Sequence, residues 1–474
     1  METANPTLDD DHPSGFVSRL LKRMNQPVDI LPLVYFRVIF GLIMMWEVSR
    51  YFSNDWIRRY FISPDFLFKY HGFEWVHALP GLGMYFFFAG LAILAALIAL
   101  GLCYRIATVA FFLGFTYVFL LAQSNYLNHF YLISLVSLLL IVLPANRFAA
   151  IDVRDHPESK LSMAPVWTLW LLRFQLAIPY FFGGIAKINS DWLHGEPMRD
   201  WLAGRQDFPL VGSLFTEEWV VYAFSYGGLV FDLIIVPLLM WKRTRVFAVI
   251  WIMTFHLMNA YLFSIGIFPW FMMLVTPVFF SPSWFRRLPR QFALSPGDPE
   301  PVDARAFDRW KLRYAGLLIL TLFVAYHVLM PLRHHLYPGN VSWTEEGHRF
   351  AWHMKLRDKD GRARFTVSDP ESGKIWSIDP EDYLSDRQER KMSGKPDMIL
   401  QFGHYLADRW EAKGYPNVEV YAEINVSLNG RRFQPLVDPK VDLAKQRRTM
   451  TTWPWIVSLH EPLLEPGEDR DSVE

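Results

Sequence analysis

One lysine ends a long apolar stretch in the middle of the chain. Lys187 directly follows the run from Trp167 to Ala186, within the sequence YFFGGIAKINSDW. Removing an ammonium from water disfavours its charged form, which can turn a poor base into a usable one near neutral pH. A lysine in such a place can equally be an interface anchor, whose stem lies in lipid while its charge reaches water. Its neighbours must decide between these two interpretations.

Other polar groups interrupt the apolar stretches. Ionisable groups at membrane depth are costly and usually face a site or a partner. His256 and Asn259 are three residues apart and therefore share one helical face. His129 opens another apolar stretch, where it would line a site or cap a helix at the interface. Structural ion pairs are the simpler interpretation for a further set of charges, namely Arg37 with Glu47, and Asp232.

The composition is that of a folded, apolar chain. Of the 474 residues, 52% are hydrophobic and 16% aromatic, and 47 basic residues balance 47 acidic ones. This excludes a disordered chain, and the balanced charge gives no general attraction to nucleic acid. The single cysteine, Cys103, excludes an intrachain disulfide. No phosphate loop, Gly-x-Ser-x-Gly, HExxH or paired CxxC motif occurs, and the scattered histidines predict no metal site.

Apolar runs near membrane-spanning length fill the first two thirds of the chain. Their length and hydropathy predict about nine transmembrane helices. They lie near residues 30–50, 82–102, 106–124, 128–145, 166–187, 220–240, 246–262, 266–281 and 315–333. Basic residues fill alternate connections, which puts the N terminus in the cytoplasm. An odd number of spans then puts the C-terminal part on the opposite side.

Three segments follow from this pattern. We expect a cytoplasmic N-terminal segment over 1–28, a transmembrane domain over 29–335, and an extracytoplasmic α+β domain over 336–474. In the last segment, a hairpin from Trp352 to Val367 would close at Lys359-Asp360-Gly361, and another from Val418 to Val437 at Asn429-Gly430. Helical spacing of apolar residues predicts a helix from Asp397 to Lys413. The fold class is a polytopic α-helical membrane protein with a C-terminal extramembrane α+β domain.

Several long phrases occur in order along both parts of the chain. In the membrane part they are GLCYRI (101–106), NHFYL (128–132), GIAKINSDW (184–192) and FHLMNAYLFSIGIF (255–268). In the tail they are NVSWT (340–344), WHM (352–354) and RFQPLVDPKVD (432–442). Together they resemble the vitamin K-dependent gamma-glutamyl carboxylase family, with its HTTM-type membrane domain, from about residue 30 to 455.

The resemblance implies an enzyme of the carbon-carbon lyase class. It would use reduced vitamin K, either phylloquinol or menaquinol, with O2 and CO2 as co-substrates and no metal. In the family a lysine at the position of Lys187 deprotonates the quinol, and oxygenation towards the epoxide generates a base that removes a glutamate γ-proton. The carbanion then adds CO2 to give γ-carboxyglutamate. His129 matches the histidine beside this lysine, and His256 and Asn259 match a polar pair near the quinone pocket.

The family's glutamate-binding stretch matches less completely. Trp352 is kept, but the family has tyrosines where this chain has His348 and Phe350. We therefore expect His348 and Trp352 to bind the substrate, a glutamate-containing peptide or protein. The lipid bilayer, the inner or plasma membrane in a prokaryote, would be the other partner, and nucleic acid none. Two alternatives stay open: a quinol epoxidase that does not carboxylate glutamate, and a non-catalytic transporter or scaffold.

Overall fold

The computed structural model describes residues 15–287 and 304–464. The ends of the predicted N- and C-terminal segments and residues 288–303 lie outside this part of the chain. Residues 15–287 and 304–332 form mainly helices, with one short antiparallel pair of strands, β1 Pro27–Asp29 and β2 Met163–Pro165. The helices are α1 Phe16–Met24, α2 Leu31–Ser53, α3 Gly83–Leu100, α4 Tyr104–Leu121, α5 Asn128–Val142, α6 Ile151–Asp155, α7 Val166–Ala186, α8 Ser190–Leu193, α9 Met198–Ala203, α10 Glu218–Met240, α11 Arg245–Leu262, α12 Phe268–Val275, α13 Ala304–Asp308 and α14 Tyr314–Leu332.

Seven helices in the described part of the chain are long and apolar enough to cross a membrane. They are α2, α3, α4, α7, α10, α11 and α14. The other two predicted spans form shorter apolar helices, Asn128–Val142 and Phe268–Phe279. The second of these consists of α12 followed by a 3-10 turn at Thr276–Phe279, which contains Pro277. The class of helical membrane protein is therefore confirmed, while nine crossings stay a prediction.

Small residues let the long helices approach closely. A Cβ on Gly41 of α2 would lie 2.5 Å from the Ala95 carbonyl oxygen of α3. On α7, a Cβ on Gly184 would lie 2.7 Å from a Leu233 methyl carbon of α10. Because lipid provides no hydrophobic force between helices, close backbone packing of this kind stabilises their association. The Gly184 contact also brings the end of α7 against α10, next to Lys187.

The tail forms a four-stranded antiparallel sheet in the order β4-β3-β5-β6, covered by a helix. Its elements are α15 Val341–Thr344, β3 Lys359–Asp369, β4 Lys374–Ile378, α16 Asp386–Met392, α17 Pro396–Glu411, β5 Glu419–Leu428 and β6 Gln434–Pro435. The buried side chains Phe365 and Ile424 of the sheet belong to one core with Phe402 and Leu406 of α17. The predicted helix is thus confirmed within two residues at either end.

One predicted hairpin is confirmed and the other is wrong. Asn429 and Gly430 join β5 to β6 with positive φ angles of 51° and 78°, as a tight turn requires. Lys359 to Gly361 instead lie inside β3, where Gly361 pairs with Val426. A Cβ on Gly361 would lie 2.9 Å from Ser393. This glycine therefore permits close packing, and the chain turns later, between Asp369 and Lys374.

Candidate active site

A cavity of about 850 Å³ lies between the membrane helices and the tail. Its volume is in the range of about 300–1,000 Å³ that is typical of small-molecule sites. Five of the six residues predicted from the sequence line it: Lys187, His129, His256, Asn259 and His348. Trp352 is not among the lining residues and is buried against Tyr131, with ring centroids 5.1 Å apart. Helices far apart in sequence thus converge on one chamber.

Lys187 is buried in an ion pair at the end of α7. Its Nζ lies 2.5 Å from Oδ2 of Asp232 on α10 and 5.2 Å from the ring centre of Trp192. The relative exposure is 6% for Lys187 and 4% for Asp232. An interface anchor would carry its amine to water, whereas this amine is held inside. Gly183 permits the approach, since a Cβ there would lie 3.3 Å from Oδ2 of Asp232.

The other predicted ion pair does not form. Glu47 pairs with Arg50, one turn further along α2, at 2.6 Å. Arg37 instead donates to the carbonyl oxygen of Ala149 at 2.6 Å. Ten residues on one helix separate Arg37 from Glu47 by about 15 Å along the axis, which is too far for a contact. Asp232 does form a pair, but its partner is the candidate base.

His129 stands in the first turn of α5 and faces the same cavity. Its ring stacks on Phe268 at a centroid distance of 5.8 Å and meets Phe130 edge-on at 4.9 Å. The hydrogen-bond partner of the Lys187 amine is the Asp232 carboxylate, which the sequence analysis treated as structural. His129 and Lys187 therefore share the chamber, while Asp232 holds the amine.

A second polar group lies deeper in the membrane part. Nε2 of His256 is 2.8 Å from the hydroxyl of Tyr180 on α7. Nδ1 of His256 is buried and has no partner among the described residues. Aromatic side chains that line the same cavity surround the pair, among them Trp251, Phe255 and Phe268. An aromatic slot with one unpaired imidazole nitrogen fits a flat ring that carries hydroxyl groups.

A charged cluster in the tail lines the outer part of the cavity. The Glu345 carboxylate accepts from Arg357 at 2.5 and 2.6 Å and from Lys359 at 3.1 Å. Burial alone would raise the pKa of Glu345, but Arg357, Lys359 and His348 outweigh it and hold that pKa well below the usual range. Burial lowers the pKa of Lys359 to about 8, against the opposing effect of Glu345. Glu345 is therefore an anion that organises the cations around it.

The segment from Glu345 to Lys355 has a strained backbone. Glu345, Phe350, Trp352 and Lys355 all have positive φ, between 52° and 65°. Such conformations are costly for residues with a side chain and cluster at functional sites. The Tyr126 hydroxyl accepts from the Phe350 amide at 2.7 Å, and Asn128 of α5 donates to the His353 carbonyl at 3.0 Å. The segment is thus tied to the helix that carries His129.

The mouth of the cavity is rich in cations. The basic residues of the tail that line it are Arg349, Lys355, Arg357, Arg387, Lys391 and Lys395. Lys391 is exposed to solvent, but the surrounding protein and the nearby Arg387 and Arg357 lower its pKa to about 8. Arg349 is neutralised by two hydrogen bonds to Asp397, at 2.7 and 3.1 Å. The remaining positive charge favours a ligand that carries carboxylates.

Sequence reasoning missed several of these groups. Tyr180, Glu345 and Arg357 gave no signal that set them apart from other polar residues. Asp232 did give a signal, because a lone acid in an apolar run implies a partner. Its spatial relation to Lys187 depends on how α7 packs against α10.

Fold and cavity define a helical membrane protein with a buried lysine-aspartate pair at the wall of a cavity, and with a sheet domain in its tail. Comparison with protein families gives the same class. The HTTM domain matches residues 25–284, more than half of the chain. The lumenal domain of vitamin K-dependent gamma-carboxylase matches residues 313–462. The chain therefore belongs to the vitamin K-dependent gamma-glutamyl carboxylase family. No solved structure matches it.

Proposed function

We propose that this protein is a quinol-dependent γ-glutamyl carboxylase with Lys187 as the initiating base. The observation that carries the proposal is the Lys187–Asp232 pair, with Nζ and Oδ2 2.5 Å apart, at the wall of an aromatic cavity of about 850 Å³. Intramembrane ionisable groups of this kind mark functional sites by default. Family membership supports the same chemistry. The N terminus would be cytoplasmic and the tail extracytoplasmic.

Lys187 would take a proton from a hydroxyl of the bound quinol. Before it can accept one, the ion pair must have released a proton, so that Lys187 is a neutral amine beside the Asp232 carboxylate. The ammonium that then forms lies beside the Asp232 carboxylate, whose attraction is strong where water is excluded. His129, which lines the same cavity, would relay the proton onward.

Other residues would hold the quinol and keep water out. His256, with one unpaired nitrogen, and Asn259 on the same face of α11 would bind the ring hydroxyls. When bound, reduced vitamin K with O2 supplies the strong base for a glutamate γ-proton, which side chains with pKa values of about 4–10 cannot remove. The aromatic walls protect such a base from water. A quinol with an isoprenoid tail would reach the cavity from the lipid.

The glutamate peptide would bind at the mouth of the cavity. Arg357, Arg387 and Lys391 supply positive charge there, and His348 lies among them. Trp352, which is buried against Tyr131, would support the strained segment and not contact the peptide. The acceptor carboxylate would thus be held above the quinol, with its γ-carbon towards the membrane.

A second candidate function is quinol epoxidation without carboxylation. It is favoured by His348 and Phe350, which stand where the family has tyrosines. His348 is buried, and its Nδ1 lies 3.8 Å from Glu345 in the charged cluster. If this departure abolished carboxylation, His348→Tyr should raise the incorporation of CO2 into a glutamate peptide. No change in that variant would count against this candidate.

The deciding experiment measures epoxide formation from reduced vitamin K by purified protein in detergent, with labelled CO2 and a glutamate peptide. Wild type is compared with Lys187→Ala and with Lys242→Ala, an exposed lysine outside the cavity. Epoxide and label that are both lost only in Lys187→Ala would support the carboxylase. Epoxide without label would support the epoxidase. No epoxide from folded wild type would favour the non-catalytic transporter or scaffold.

A further inference from the structure

A second cavity, of about 560 Å³, lies beside the candidate active site. It is formed by the end of α7, the end of α14 and the segment that leads into α15. Exposed residues at its rim, His335, Gly339 and Asn340, connect it to the outside. His353 lines both this cavity and the larger one. A single imidazole therefore forms part of the wall between the two chambers.

Four histidines form a continuous series across this wall. The ring centroids of His348 and His353 are 5.1 Å apart, those of His353 and His334 4.7 Å, and those of His334 and His335 4.0 Å. His348 and His353 are each 5% exposed, His334 is half-buried and His335 is exposed. The series thus runs from the reaction cavity to the surface of the second cavity.

The ring nitrogens at the inner end are not engaged elsewhere. Both nitrogens of His353 and Nε2 of His348 have no hydrogen-bond partner among the described residues. Nδ1 of His334 lies 2.8 Å from the Pro331 carbonyl oxygen, to which it donates, so its Nε2 is an acceptor. The described part of the chain contains no group of three or more ligands arranged for a metal ion.

We propose that these four histidines carry a proton from the reaction cavity to the second cavity. The inference rests on the proposed function, in which a γ-carbon–hydrogen bond breaks, a carbon–carbon bond to CO2 forms, and one proton is released for each carboxylate made. A neutral imidazole accepts at one nitrogen and donates from the other, so neighbouring rings joined by a bridging water can pass a proton along.

The charges around the series are consistent with this role. Burial, together with His334, Arg357 and Arg333, lowers the pKa of His353 to about 3 against the opposing effect of Glu345. Burial, with Arg357 and Arg349, likewise holds the pKa of His348 well below its usual range. Both rings are therefore neutral at working pH and do not trap the proton that they transmit.

The test uses the intact protein and the variant His353→Ala, with His404→Ala as a control. His404 lies on α17 outside both cavities, where its Nε2 is 2.8 Å from the Gln446 carbonyl oxygen. We expect His353→Ala to lower kcat for carboxylation of a glutamate peptide by about 100-fold with little change in KM. Added imidazoles should restore kcat to a degree that follows the pKa of the imidazole. A loss that no imidazole restores, or restoration independent of pKa, would overturn the relay. If His353→Ala does not fold, His334→Ala serves in its place.

A second measurement does not depend on turnover. Nitrogen-15 NMR of histidine-labelled wild type in lipid reports whether the His353 ring exchanges between tautomers. The His353 signal is assigned by its absence from the spectrum of His353→Ala. Exchange at both His353 and His348 supports the relay. One fixed tautomer at either ring excludes it, whatever the enzymatic result. If wild type forms no epoxide, the proposed function fails, while the spectra still decide whether these rings pass protons.

Discussion

At the scale of single residues, the proposed chemistry depends on a buried lysine. A buried charge is tolerated only when it is paired, and Asp232 supplies the pairing for Lys187 at 2.5 Å. Removing one partner of such a pair leaves the other charge uncompensated, whereas replacing both with apolar residues is often neutral. Function and stability can therefore be separated at this site.

We predict that Asp232→Asn lowers the rate of quinol epoxidation by about 100-fold and destabilises the protein by about 3–5 kcal/mol. The double variant Lys187→Met, Asp232→Leu should recover the stability but stay inactive, because it leaves no buried charge and no base. Thermal unfolding in detergent and the epoxide assay measure the two effects. A double variant that is as unstable as the single one would show that the pair's role is not electrostatic.

At the proposed peptide site, Lys391 would make substrate binding depend on pH. Because the pKa of Lys391 is about 8, its ammonium is charged at pH 7 and lost as the pH rises through 8. We therefore expect the KM for an acidic glutamate peptide to rise between pH 7 and 9. Lys391→Arg, which stays charged, should keep the KM low across this range, and Lys391→Gln should keep it high. If both variants retain the wild-type pH dependence, another group is responsible.

At the scale of elements, glycines set how closely the long helices pack. Gly41 of α2 faces the backbone of α3, so the oxygen of Ala95 cannot move aside as a flexible side chain would. Gly184 places α7 against α10 in the same manner, with the neighbouring Leu233 side chain as its contact. Helix packing in this membrane part therefore positions the ion pair, since Lys187 and Asp232 lie on the two helices that Gly184 brings together.

We predict that Gly41→Val destabilises the protein by about 1–3 kcal/mol, because the added carbons would overlap α3. Gly90→Val on α3 is the matched control, since a Cβ at Gly90 meets no atom within 4 Å. Thermal unfolding of both variants in detergent compares them directly. Equal melting temperatures would mean that α2 and α3 can separate without cost.

At the scale of the whole molecule, hydrogen bonds attach the tail to the membrane part close to Lys187. Asp191 of α8 accepts two hydrogen bonds from Arg431 and one from Asn429, all at 2.7 Å. Asp191 precedes Trp192, whose ring lies 5.2 Å from Nζ of Lys187. The contact thus links the turn between β5 and β6 to the residue that packs over the candidate base.

We predict that Arg431→Ala lowers stability by about 3–5 kcal/mol, because Asp191 is left buried and unpaired. It should also lower kcat, since Trp192 loses the support of its neighbour. Arg447→Ala, at an exposed position, is the control. Unfolding in detergent and the epoxide assay give the two values. A loss of stability without any change in kcat would mean that the attachment of the tail does not influence the geometry of the site.

Local properties of the chain were sufficient for much of the fold. The long helices followed from the length and hydropathy of apolar runs, α17 from its helical spacing, and the β5–β6 turn from Asn429-Gly430. Each of these depends on a residue and its near neighbours in sequence. The hairpin predicted at Gly361 failed because that glycine serves a packing contact with Ser393, which is distant along the chain.

The sequence by itself determined that this is a helical membrane protein, and it singled out Lys187, His129, His256 and Asn259 as candidates. Only the tertiary structure decided that they share one cavity, and that the partner of Lys187 is Asp232, 45 residues away. It also brought together the charged residues at the mouth of the cavity, which come from separate segments of the tail. The physical reason is that hydropathy and periodicity are local, whereas the pairing of buried charges depends on which helix faces pack together.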